Sequence, residues 1–285
     1  MRRIAYGKYH GLENDFIVID LKQVRLPVKS RGELAKRICE RHTGIGADGV
    51  VFFAANKNRL RMLLFNADGS PAEVSGNGLR ILAQHLYLQG LVSRRRFSIT
   101  TGNGQSEVRI ISISGFTQVT EISLAAPRFR LAQIPMRGRI SHFINRLFTT
   151  VSGSLAGTAV NIGNPHIVFF VDNFDFDWRT FGAEVEGDRH FPDNVNVEFA
   201  VIKSRRHLQH RSWERGVGET QASGTGAAAA VAAGIINGYL DHDVTVTAPA
   251  GDLEISIASL DEPILLRGPS VKIGDGTFLF QTSSL

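Results

Sequence analysis

At 285 residues, 43% of them apolar, the chain is long enough to bury a large core and to divide into two domains. Lys+Arg exceeds Asp+Glu by five and the isoelectric point is near 9.6, yet the one basic cluster, Arg94-Arg95-Arg96, stands in a turn without interleaved aromatics, which reads as a solvated loop and speaks against nucleic acid as a partner. The single cysteine, Cys39, excludes an internal disulfide framework and a Cys-rich metal site; no leader-like start and no apolar run approaching about 18 residues is present, so no membrane association and a reducing, cytoplasmic location are expected.

The chain begins as a strand pair, Ile4 to Tyr9 and the apolar run Phe16-Ile17-Val18-Ile19-Asp20, joined by Gly11-Leu12-Glu13-Asn14-Asp15. A helix is predicted over Arg31 to Glu40, then a turn-rich Thr43 to Gly49 leading into the strand Val50-Val51-Phe52-Phe53. Arg61 to Phe65 reads as a strand broken by the turn Asn66-Ala67-Asp68-Gly69. Ser75-Gly76-Asn77-Gly78 then opens an apolar helix, Leu79 to Gln89, closed at Gly90, and strands follow at Phe97 to Thr101, Ser106 to Ser114 and Thr117 to Leu124. Ser223-Gly224-Thr225-Gly226 opens a second such helix, Ala227 to Asn237, which is apolar on every face and therefore expected to be buried all round. The first helix carries Arg80, Gln84 and His85, so its enclosure is expected to be less complete.

The two Ser-Gly turns belong to a longer internal repeat. At an offset of 148 residues Arg41-His42 falls on Arg189-His190, Phe65 on Trp213, Asn66 on Glu214, Gly76 on Gly224, Gly78 on Gly226 and Gly90 on Gly238. At 147 Thr100 falls on Thr247, Gly104 on Gly251 and Glu107 on Glu254; at 150 the segment from Asn14 falls on that from Asn164. Chance likeness of two glycine-rich turns does not extend so far. The expected fold is α/β (α+β): two pseudo-symmetric domains facing each other about a pseudo-two-fold axis, each a rolled, mostly antiparallel sheet around a central helix, with the active site in the cleft between them. The repeat places the N-terminal domain at 1–117 plus 271–285 and the C-terminal domain at 118–270.

Each Ser-Gly turn is an anion site by construction, because the first amides of a helix lack internal acceptors and the helix dipole favours negative charge there. Two such sites sharing one cleft suit a carboxylate and put two hydroxyls on opposite sides of whatever binds. A pair of proton-transfer groups flanking one carbon is what stereoinversion requires. Asn14, Asn66, Asn77, Asn164 and Asn196 supply uncharged polar contacts, Arg215 suits a carboxylate, Glu214 an ammonium group, and His166 and Glu214 can orient or accept protons. Singly, each asparagine reads as a turn residue and His166 as a satisfied core histidine; their repeat-related placement raises the functional reading. The string Gly44-Ile-Gly46-Ala-Asp-Gly49 precedes a strand, unlike a dinucleotide fingerprint, and neither serine sits in a G-x-S-x-G elbow.

The strings HGLENDFIVID (10–20), RHTGIGADG (41–49), FNADGS (65–70), SGNGLR (75–80), GNPH (163–166), FPDNVNV (191–197) and WERGVGETQASGTG (213–226) closely resemble diaminopimelate epimerase, nearly end to end. The resemblance implies a PLP-free enzyme, needing neither cofactor nor metal, that interconverts LL- and meso-diaminopimelate on the way to lysine and peptidoglycan. It also implies two pseudo-symmetric barrels, each around a central helix, in a homodimer. By the same resemblance Asn14, Asn66, Gly76, Asn77, Asn164, Asn196, Glu214, Arg215, Gly224 and Thr225 hold the substrate, and His166 and Glu214 assist the two catalytic groups. Gly49 stands where the family's loop carries a glutamine. The family's two catalytic bases are cysteines; here both positions are serine, Ser75 and Ser223. A thiol titrates near 8.5 and lower at a helix N-terminus, whereas a hydroxyl yields almost no alkoxide without an adjacent base. Activity well below that of a Cys–Cys enzyme is therefore expected. A racemase of another amino acid and an amino-acid-binding relative without turnover stay open as alternatives.

Overall fold

A computed structural model describes residues 2–24, 26–56, 59–72, 75–102 and 104–281. Two compact units result, Met1–Ile122 with Gly268–Leu285, and Ser123–Arg267. Unit 1 contains β1 (Arg2–Gly11), β2 (Asn14–Asp20), α1 (Leu21–Val24), α2 (Val28–Cys39), β3 (Gly49–Asn56), β4 (Arg59–Asn66), β5 (Pro71–Ala72), α3 (Gly76–Leu88), β6 (Arg96–Thr101), β7 (Gly104–Ser114) and β8 (Thr117–Leu124). Unit 2 contains β9 (Arg146–Thr150), β10 (Gly153–Asn161), β11 (Pro165–Phe170), α4 (Trp178–Glu186), β12 (Asn196–Ser204), β13 (His207–Glu214), β14 (Gly218–Thr220), α5 (Gly224–Ile236), β15 (Asp243–Ala248) and β16 (Gly251–Ser256); β17 (Ile264–Phe280) begins beside β16 and continues into unit 1 beside β1.

The element bounds repeat as the residue identities do: α3 and α5 are both 13 residues long and their limits differ by 148 (224 − 76 and 236 − 88). In unit 1 the pairing runs β17-β1-β2-β3-β4-β6-β7-β8 and returns to β17, so the sheet closes on itself around α3. In unit 2 it runs β9-β10-β11-β12-β13-β15-β16 and rolls around α5, which packs on β10, β11, β12, β13 and β16. Among the described residues β2–β3, β4–β6, β11–β12 and β13–β15 pair in parallel, and each of these pairs spans a helical crossover.

The continuous apolar runs have a physical cause. β2, β3, β11 and β12 face a central helix on one side and an outer helix on the other, so both faces are dry. Ile17, Ile19, Val50 and Phe52 meet Leu34, Ala35 and Ile38 of α2, and Ile167, Phe169, Val197 and Phe199 meet Trp178, Phe181 and Val185 of α4. Each central helix is capped by its serine, whose Oγ accepts from the third helical N–H (Gly78 or Gly226) at 3.1 Å. Gly90 and Gly238 end the helices with φ of 66° and 75°, the left-handed C-cap that the sequence signals.

α5 is buried from Gly224 to Gly234, as its composition demands. α3 differs from expectation: Arg80, Gln84 and His85 do not leave it partly open but are buried, at 0, 1 and 8% exposure. Each polar head has a partner inside the barrel. Arg80 Nη2 donates to Asn77 Oδ1 and Nε to Pro269 O, Gln84 Nε2 donates to Phe116 O at 2.7 Å, and the Tyr9 hydroxyl meets His85 Nδ1 at 3.0 Å. These bonds offset much of the cost of burial, while Arg80 Nη1 and Gln84 Oε1 are buried without a partner among the described residues.

Candidate active site

In unit 1 the candidate residues form one donor–acceptor chain. Arg80 donates to Asn77 Oδ1, Asn77 Nδ2 to Asn14 Oδ1 (3.0 Å), and Asn14 Nδ2 to Asp48 Oδ2 (2.8 Å). Asp48 is held in turn by Arg41 at 2.7 Å. Both amide orientations follow, since a carboxylate at one end admits only N–H and a guanidinium at the other only oxygen. Burial brings the Arg80 guanidinium down to about 10, still a cation at neutral pH, beneath the turn that opens α3. Gly76 and Asn77 supply the helix amides that lack an intrahelical acceptor. Asn66 lies apart from this chain: it is exposed, and its Nδ2 donates to Ser70 Oγ at 3.0 Å. Among the described residues the Ser75 hydroxyl takes one hydrogen bond, from Gly78 N–H.

Unit 2 gathers more. Asn164 lies between His166 and α5, its Oδ1 2.9 Å from His166 Nε2 and its Nδ2 3.5 Å from Thr225 Oγ1. Asn196 donates to Pro165 O and accepts from Arg215 N–H at 3.1 Å, tying the strand that carries His166 to the Glu214-Arg215 corner; the Arg215 side chain bonds Asp193 O. Glu214 accepts from Thr220 Oγ1 at 3.2 Å, and the Ser223 hydroxyl lies near enough to influence its titration. Burial raises the Glu214 pKa, the neighbouring Ser223 hydroxyl opposes that, and the charge of Glu198 pushes it up again. Ser223, 4% exposed, thus has a carboxylate nearby and its lone pair on a helix amide.

A family profile described as diaminopimelate epimerase matches residues 6–120 and 158–273. The chain is 39% identical over 275 residues to the diaminopimelate epimerase of Moorella thermoacetica, covering 96% of this chain and 98% of that one. It is 37% identical over 286 residues to that of Geobacillus kaustophilus, with 99% and 98% covered. The chain belongs to the diaminopimelate epimerase family. Among solved structures its fold matches a phenazine biosynthesis protein of the PhzF family from Bacillus anthracis (TM-score 0.71, 17% identity, 98% of this chain and 100% of that one). It also matches a hydroxyproline epimerase from Agrobacterium vitis, solved with trans-4-hydroxy-L-proline bound (TM-score 0.70, 10% identity, 98% and 91% covered). Membership makes the protein an epimerase-type isomerase on a two-domain fold. No helix among the described residues is long and apolar enough to cross a membrane.

For a diaminopimelate epimerase family member, three residues stand out that sequence reading passed over. Asp48 orients Asn14, and Glu198 and His210 lie behind His166. The signal for the last two was faint but present: Glu198 interrupts an apolar strand, and His210 sits at an inward position of β13, two residues before Ser212 and four before Glu214. Cys39 offers no substitute thiolate. Burial first, then the charges of Asp15 and Asp48, hold its thiol up at about 12.

Proposed function

We propose that this protein is a cofactor-independent epimerase that interconverts LL- and meso-2,6-diaminopimelate by two-base proton transfer at Cα, with Ser75 and Ser223 in the base positions. The observation that carries the reading is the pair of serine-capped helix starts, α3 and α5, at repeat-related places in a chain of this family. In this mechanism the substrate carboxylate is held by the amides of Gly76, Asn77, Gly224 and Thr225, and Asn14, Asn66, Asn164, Asn196 and Arg215 hold the remaining polar ends. Removing a Cα proton leaves a carbanion whose charge moves into the carboxylate, where helix amides and dipoles stabilise it. One serine side takes the proton and the other returns one to the opposite face, so the product differs only in configuration. On the Ser223 side the Glu214 carboxylate receives the hydroxyl proton; His166 and Glu214 assist the two transfers. The pathway role in lysine and peptidoglycan precursor synthesis, a homodimeric state and cytoplasmic residence belong to the same proposal.

The serines also favour a second reading, an amino-acid-binding relative with little turnover, because a hydroxyl is a far weaker acid than a thiol. Incubation with LL-diaminopimelate in deuterated water separates the two. The epimerase reading expects Cα deuterium together with a changing LL/meso ratio. Tight binding without exchange overturns it in favour of the second reading, and binding of another amino acid instead indicates a racemase of different specificity.

A further inference from the structure

Behind Ser223 lies a buried polar chain that the mechanism above does not use in full. Glu198, 0% exposed, has both carboxylate oxygens occupied: Oε1 by His166 Nδ1 at 2.8 Å and Oε2 by His210 Nε2 at 2.7 Å. The other nitrogen of His166 faces Asn164 Oδ1, and Asn164 Nδ2 faces Thr225 in the Ser-Gly turn. From His210 the contacts run outward through Glu198 and His166 to Asn164, each group lodged against the next.

The internal repeat provides the control. Strand register places Phe16, Val51 and Met62 of unit 1 where unit 2 has His166, Glu198 and His210. Val18 pairs with Val51 as Val168 pairs with Glu198, Val51 with Leu64 as Glu198 with Ser212, and Met62 precedes Leu64 as His210 precedes Ser212. Packing repeats the correspondence. A Cβ on Gly78 would meet Met62 and Val51, and one on Gly226 would meet the Glu198 carboxylate, 2.6 Å from its carbon. The same backbone in the same chain is therefore filled once by three buried apolar side chains and once by an ionisable trio. Burying charge in place of well-packed hydrocarbon is costly, so stability of the barrel does not call for the trio.

We propose that His210 is a positioning residue of the Ser223 half-site: by donating to the second oxygen of Glu198 it fixes the carboxylate that holds His166, and through His166 the amide of Asn164. The role in substrate binding rests on the reading that Asn164 contacts an amino-acid ligand; the positioning of His166 does not.

The test compares His210→Met, the residue found at the repeat-related position 62, with His210→Gln, which keeps an N–H donor. In the ligand-free full-length protein, nitrogen-resolved NMR follows the His166 Nδ1–H signal; calorimetry with meso-diaminopimelate follows Kd, and melting curves report folding. The expected result is a displaced or lost His166 signal and a Kd weakened about tenfold in His210→Met, the loss of one charge-assisted hydrogen bond, with both restored in His210→Gln. An unchanged His166 signal in folded His210→Met overturns the proposal, as does a folded His210→Gln that fails to restore it. Should His210→Met not fold, Glu198→Gln decides by the same signal, since an undisturbed His166 there also overturns it. If the unsubstituted protein binds no diaminopimelate, the substrate reading fails while the His166 signal still decides the positioning role.

Discussion

Ser75 and Ser223 share a cap geometry and differ in their neighbours. Ser223 has the Glu214 carboxylate nearby as a proposed proton acceptor; the repeat-related residue in unit 1 is Asn66, which bonds Ser70. A hydroxyl needs such an acceptor, whereas a thiol near 8.5 carries a fraction of thiolate unaided. Ser75→Cys combined with Ser223→Cys is therefore expected to raise Cα exchange by about 100-fold or more, read by deuterium incorporation. Glu214→Gln keeps the shape and loses the acceptor, so exchange should fall about 100-fold. Stability should move the other way. A carboxyl whose folded pKa is raised is destabilising once ionised, an effect absent below its unfolded pKa and complete above the folded one. Glu214→Gln should melt higher than the unsubstituted chain at pH 8 and no higher at pH 4; a lower melting point at pH 8 would contradict the role of burial.

At the scale of elements, α3 and α5 are one device with two linings. Both are capped by serine, open on Gly-x-Gly and end on a left-handed glycine. α5 is alanine-rich and silent, whereas α3 carries Arg80, Gln84 and His85 inward, each matched by a carbonyl, an amide or Tyr9. The third helical position separates the linings experimentally. Gly226→Ala drives a methyl into Glu198, which is pinned by two histidines, and should cost about 2–3 kcal/mol. Gly78→Ala meets the mobile end of Met62 at 3.1 Å and should fall within about 1 kcal/mol of the unsubstituted chain, since alanine also favours the helix. Chemical denaturation of both variants checks the contrast, and equal losses would refute it.

Over the whole molecule, the two units should respond to acid in different windows. His85 in unit 1 is buried with Tyr9, and burial lowers its pKa to about 4 from 6.5. Its unfolded form binds the proton first, so its stabilising effect is full above pH 6.5 and is lost as pH falls to about 4. Glu198 in unit 2 is lowered to about 2 from 4.5 because the bonds from His166 and His210 outweigh burial; its effect is full above pH 4.5 and is lost as pH falls toward 2. Urea titrations at pH 7 and 5 should show a loss on the order of 2 kcal/mol reported from unit 1, abolished by His85→Gln. Amide exchange around α5 should hold until pH falls below about 4.5. Simultaneous loss in both units at pH 5 would refute the separate windows.

The repeat of 148 residues, the two capped helices, the buried all-apolar helix and the family motifs are all written in local order. Caps, turns and apolar periodicity act between neighbours in the chain, and identities at a constant offset need no coordinates to see. What the sequence could not say is which inward polar groups meet. Arg80 reads as a reason for exposure until Pro269, 189 residues away, supplies a carbonyl, and Glu198 and His210 read as unremarkable strand residues until β12 and β13 pair. Cross-strand register and barrel closure place those partners. A buried charge is tolerable only beside its partner, so only the tertiary structure decides whether such a residue faces water or completes a site.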